Sequence, residues 1–281
     1  MEKARDASFH KDPKRALKEY RLALDGLEKD DAPAAQVQKA QVLRAVADTY
    51  YLELHDVRQA VTVYKELIAQ CPEAPETLEA HVTLAEILRV YYHDDRSAIA
   101  ELTAALARNP PQSAELTYQV ASLYFELQDY PQCELEAQKL TRKFQASPFV
   151  DDALFLQAQA LGMREGMHPE AARVYRELVE HFPHSELAPH ALFELGKLKA
   201  EQGENDAAIK LWVEALKTHP DPKLVQASIA RVRRRITRTT PEGIGKQAAF
   251  AKAPVVRISH QHSSVEAAGG TAEEAKRDNG D

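Results

Sequence analysis

The chain has 281 residues with 36 Lys and Arg against 43 Asp and Glu, a net charge of −7 that argues against wholesale nucleic-acid binding. Hydrophobic residues make up 44% and aromatics 7%, enough for one or two domains whose core is alanine and leucine rather than large rings. Ten glycines and two cysteines, Cys71 and Cys133, exclude turn-rich β folds, glycine-rich phosphate loops, disulfide frameworks and four-thiolate zinc sites.

From the amino end, Met1-Glu2-Lys3-Ala4-Arg5-Asp6 holds no apolar run, and no stretch reaches the roughly 20 apolar residues of a membrane helix. The expected setting is cytoplasmic, or periplasmic where an export signal is encoded upstream of Met1. A short helix is expected over residues 2–11, followed by segments with apolar residues at i, i+3, i+4 and i+7, each bounded by prolines.

These segments repeat. Ala60-Val-Thr-Val-Tyr64 leads to Pro72, Ala98-Ile-Ala-Glu-Leu102 to Pro110, Ala171-Ala-Arg-Val-Tyr175 to Pro183, and Ala208-Ile-Lys-Leu-Trp212 to Pro220, the proline always twelve residues after the first alanine. Ala16 with Tyr20 and Cys133 with Ala137 share the phase without the proline, so the six anchors stand 44, 38, 35, 38 and 37 residues apart. Residues 222–238 read as a capping helix with Leu224, Ile229, Val232 and Ile236 inward, which closes the open side of the last pair. From Thr239 onward the periodicity stops, and a disordered tail is expected over 238–281, with Pro254-Val-Val-Arg-Ile258 as a short docking motif within it.

The period lies near that of a helix-turn-helix repeat of 34 residues. In the last copy, Leu195-Gly196, Gly203, Ala208, Trp212, Ala215 and Pro220 resemble the tetratricopeptide repeat family. Asp48, Glu86, Ala121 and Gln159 depart from the pattern at the Gly196 slot. The resemblance covers about residues 1–237 and implies an all-α fold, a right-handed α-solenoid of about six helical hairpins with the carboxy-terminal cap. Phe182-Pro183-His184-Ser185 ahead of Ala191-Leu-Phe-Glu-Leu-Gly196 is similar in style to bacterial envelope-assembly and Tol-Pal-associated repeat proteins.

Candidate chemistry is thin. His55-Asp56 and His93-Asp94 suggest metal hydrolysis, but the register puts both in the turn slot that Gln128-Asp129 and Gly203-Glu204 fill elsewhere, where turn and cap chemistry explain them. His181, His184 and His190 lack a nearby Cys or a second ligand motif. Cys133 takes the alanine slot and is expected to be buried and inert, and Cys71 closes a helix. No nucleophile elbow, Walker loop or dinucleotide turn is present, so the chain is expected to have no enzymatic role, cofactor, metal or small-molecule substrate.

The resemblance implies that the first helix of each pair lines a concave groove holding a protein or peptide segment. In this register the groove residues are Thr49, Glu53, Thr83, Tyr91, Tyr118, Ser122, Phe125, Leu156, Met163, Phe193 and Lys197. Function is therefore expected to be a protein-interaction scaffold or adaptor. Two alternatives stand beside it: an envelope-assembly factor, and a regulator meeting anionic partners through Arg231, Arg233, Arg234, Arg235 and Arg238. Nucleic acid and membrane surfaces are disfavoured, because this basic run is short and no aromatic interleaves it. The oligomeric state is left open.

Overall fold

The computed structural model describes residues 12–27 and 32–239, and all regular structure within them is helical. The helices are α1 (Pro13–Leu27), α2 (Pro33–Asp48), α3 (Val57–Gln70), α4 (Pro75–Tyr92), α5 (Asp95–Ala107) and α6 (Ser113–Glu126). They continue with α7 (Tyr130–Lys143), α8 (Val150–Gly162), α9 (His168–His181), α10 (Ala188–Glu201), α11 (Asn205–Ala215) and α12 (Pro222–Thr239). Helix α2 runs on into a single π turn, Thr49–Glu53. The helix expected over 2–11 and the tail from 240 onward, with the Pro254–Ile258 motif, lie outside the described residues.

The repeat register has a backbone counterpart. His55, His93, Gln128, Gly166 and Gly203 all have positive φ, at 54°, 53°, 59°, 78° and 82°. Each lies five residues before an anchor, and the anchors Ala60, Ala98, Cys133, Ala171 and Ala208 are at most 1% exposed. A left-handed residue ends the first helix of each pair and reverses the chain. After three of these turns the next residue, Asp56, Asp94 or Asp129, starts the second helix by accepting the backbone N–H of Gln59, Ser97 or Gln132 at 3.1, 3.0 and 3.3 Å. The two His-Asp dipeptides are thus turn and cap, as the register requires.

With α2 to α11 paired in this way, the described residues hold five complete hairpins, preceded by α1 in the position of a second helix. Together they form an all-α helical-repeat solenoid. Small anchors let the paired helices approach, and leucines such as Leu67, Leu140 and Leu178, all 0% exposed, fill the space between pairs. Loops are tied to the preceding repeat by side chains: the Arg108 guanidinium donates to the carbonyls of Pro72 and Glu73 at 2.8 and 3.1 Å, and Ser185 Oγ donates to Asp151 at 2.6 Å.

The slot that glycine fills in the last hairpin is the tightest point. A Cβ at Gly196 would lie 2.4 Å from Trp212 Nε1, whose N–H donates to the Phe193 carbonyl at 2.9 Å. In the first complete hairpin the same two slots hold Asp48 and Tyr64, and the buried phenol donates to the Asp48 carboxylate at 2.6 Å. The departure from glycine at this slot is a replacement of close approach by a hydrogen bond.

The buried core forms two clusters, one from α1 to α6 and one from α6 to α10. Helix α6 belongs to both, giving Leu116, Val120 and Leu123 to the first and Ala121 to the second. On α12 the buried residues are Val225, Ile229 and Val232, whereas Leu224 is exposed, so the expected inner face is corrected by one position at its start. By its internal contacts the chain divides into residues 1–233 and 234–281.

Candidate functional site

A cleft of about 540 Å³ opens between the first helices α4 and α6, floored by Ala98 and Leu102 of α5. Helix α4 contributes Val82, Ala85, Glu86, Arg89 and Val90; α6 contributes Tyr118, Gln119, Ser122, Leu123 and Glu126. Arg89 and Glu126 form an ion pair at 3.4 Å, and Ser122 Oγ donates back to the Tyr118 carbonyl at 3.0 Å. The Tyr118 ring stacks on Phe149 with centroids 5.8 Å apart. Burial, then the charge of Asp152, hold its phenol above the ordinary value, so it stays a neutral donor. Two other neighbouring pairs of first helices touch directly, α2 with α4 and α6 with α8.

Of the eleven groove residues expected from the register, Tyr118 and Ser122 come together in this cleft. Glu53, Tyr91, Met163 and Lys197 are exposed on their own hairpins, and Thr83 and Phe125 are half-buried. Tyr91 meets Tyr51 edge-on at 6.1 Å, and Phe125 meets Tyr130 at 5.5 Å. Lys197 pairs with Glu194 at 2.7 Å and rests over the Phe193 ring.

Three expected groove residues are corrected, because they are buried between helices: Thr49 at 4%, Leu156 at 8% and Phe193 at 7% exposure. Thr49 spends its hydroxyl on the Ala45 carbonyl at 2.7 Å. Phe193 packs between Trp212 and His219, and Leu156 belongs to the second core cluster. A first helix has neighbours on both sides, so its groove stripe is narrower than its polarity pattern suggests.

The register reasoning missed Glu86, Arg89, Val90, Gln119 and Glu126, which make most of the cleft wall. Glu86 carried a signal: it shares the slot of Asp48, but where that hairpin offers the Tyr64 hydroxyl its own partner helix offers Leu102, which cannot hydrogen-bond a carboxylate.

Both thiols are buried and their acidity follows. Burial foremost pushes Cys133 up to about 12, and burial likewise raises Cys71, whose Sγ lies 3.7 Å from Gln36 Oε1. Among the described residues no cluster of three or more His, Cys, Asp or Glu could hold a metal, and no helix is long and apolar enough to cross a membrane. On α12, Arg231, Arg234 and Arg235 are exposed and Arg233 is half-buried; Arg238 lies in its last turns.

Residues 163–224 match the tetratricopeptide repeat family model. A comparison with curated proteins finds no match by sequence. Among solved structures, the chain is similar to the complex of Naa15/Naa10 bound to HypK-THB, at 17% identity over 88% of this chain and 35% of that chain, TM-score 0.58. It is similar to YrrB, described as a TPR protein with an unusual peptide-binding site, at 16% identity over 74% and 96% of the two chains, TM-score 0.51. It is also similar to the MamA protein, at 18% identity over 64% and 91%, TM-score 0.51. At these identities the likeness is one of fold. The family match covers the carboxy-terminal hairpins, and one register of left-handed turns and buried anchors runs through all five, so the described residues form a solenoid of tetratricopeptide-like repeats.

Proposed function

We propose that this chain is a non-catalytic scaffold that holds a segment of a partner protein on the surface formed by its first helices, centred on the cleft between α4 and α6. The carrying observation is that cleft: about 540 Å³ in volume, walled by apolar and charged side chains of two successive hairpins and presented on helices that the core holds in place. A surface already ordered before binding loses little entropy when a flexible segment settles on it. YrrB, similar in fold, is described as having a peptide-binding site, which supports this reading.

Site-specific photocrosslinking in cells tests the proposal. A crosslinker replacing Gln119 on the cleft wall captures a partner protein, whereas one replacing the exposed Arg142 on the second helix α7 does not. Filling the cleft with Ser122→Trp abolishes the capture while helicity by circular dichroism is kept. Equal capture from both positions, or capture undiminished by Ser122→Trp, rules the cleft out.

A further inference from the structure

Three of the exposed apolar residues of the hairpins, Leu52, Val90 and Met163, recur in register. Counting eight residues back from each anchor gives Leu52, Val90, Phe125, Met163 and Ala200. Every one is apolar. Leu52, Val90 and Met163 are 64%, 53% and 61% exposed, Phe125 is half-buried, and only the small Ala200 of the last hairpin is covered. Scattered exposed apolar residues are ordinary on a protein surface. A row that repeats at one position of successive hairpins, three residues before each left-handed turn, is not scattered.

The charges beside this row are unbalanced. Val90 shares the cleft wall with Glu86, Arg89 and Glu126, which sum to one negative charge. Arg89 is committed to Glu126, whereas the exposed Glu86 carboxylate has no ion pair among the described residues. Its field reaches Tyr51, whose phenol is held above its ordinary value by burial first and by Glu86 second. The surface thus offers apolar seats and one unneutralised carboxylate.

We infer that the first-helix surface takes a partner segment in which Lys or Arg is interleaved with aliphatic or aromatic residues, its apolar side chains on the Leu52, Val90, Phe125 and Met163 row and its cation against Glu86. This rests on the scaffold function proposed above and names the chemistry of the segment that function requires. Packed neighbouring helices lie roughly 8–10 Å apart, and an extended chain advances about 3.3 Å per residue, so successive apolar contacts fall about three residues apart where first helices touch and further apart across the cleft. A cation between them meets the carboxylate, while an acidic segment meets Glu86 and Glu126 with like charge.

The test pans a phage library of random linear dodecapeptides against the full chain. Enriched sequences carry Lys or Arg among aliphatic and aromatic residues and are depleted in Asp and Glu. A synthetic copy of the strongest binds with an affinity that falls with rising salt. Glu86→Lys weakens it about tenfold, the effect of turning one partly screened attraction into a repulsion, whereas Glu86→Asp keeps most of the affinity. Val90→Ser together with Met163→Ser weakens it independently of salt. Acidic consensus sequences, absence of any enrichment, or indifference to Glu86→Lys overturns the inference. Cleft-specific crosslinking of a partner in cells, alongside any of those outcomes, would leave the scaffold function standing with a different partner chemistry.

Discussion

Gly196 shows how one side chain, or its lack, sets the distance between two helices. Its α-hydrogen faces the Trp212 indole, so Gly196→Ala forces the ring outward and strains the N–H bond to Phe193. The expected cost is about 2 kcal/mol in urea unfolding, from overpacking set against the gain in helix propensity. Cys133 makes the converse case. It stands fully buried where alanine stands in other hairpins, so Cys133→Ala should change stability by less than about 1 kcal/mol. The wild-type thiol should react with iodoacetamide only on unfolding, measured by mass spectrometry with and without urea.

His219 is the residue whose titration should be felt. It is buried against His190 and Phe193, with ring centroids 4.7 and 5.4 Å away, and its Nε2 has no hydrogen-bond partner among the described residues. The Asp221 N–H donates to Nδ1 at 3.0 Å, which suits the neutral ring. Burial first, then the charge of His190, lower its pKa from 6.5. The unfolded chain therefore takes up this proton at higher pH than the folded one. Stability from this group is present above 6.5, falls as pH drops through 6.5 toward the folded value, and is level below that. The melting temperature should fall on acidification from about pH 7.5 to about pH 5.5, and by less in His219→Asn, which keeps an acceptor near Nδ1 but cannot titrate.

At the level of elements, the turns decide the hairpins. Glycine occupies the left-handed position at Gly166 and Gly203, whereas His55, His93 and Gln128 hold it with side chains that disfavour it. His93→Gly should therefore stabilise the chain by about 1 kcal/mol, read from the urea midpoint, and a loss of stability would mean that the imidazole makes contacts of its own. The two histidines were legible as turn residues because the register aligned them with Gly203, not because histidine favours turns. The capping helix was legible as a helix, and its face was misjudged by one residue, since apolar periodicity admits both Leu224 and Val225 and only the neighbouring hairpin selects between them.

Across the repeat unit, the division of the core at α6 has a mechanical consequence. Neighbouring repeats stabilise one another mainly through shared interfaces, so a defect in one cluster should stay largely within it. Leu178→Ala, at a fully buried position of the second cluster, should cost about 3 kcal/mol. Hydrogen exchange should then accelerate in α7 to α11 more than in α2 to α5. Equal acceleration in both would show that the two clusters open as one unit.

Periodicity and spacing were enough to determine the helical hairpins, their phase, the buried anchors and the turn role of the His-Asp pairs, because these depend on residues within one hairpin and repeat at each copy. The tertiary structure alone decided which groove positions stay open. Thr49, Leu156 and Phe193 share register positions with half-buried or exposed residues such as Tyr118 and Lys197 yet are buried, since their burial depends on the side chains of adjacent helices that no local pattern records. It also decided that a cleft opens between α4 and α6, where two helices of successive hairpins bring Glu86, Arg89 and Glu126 together.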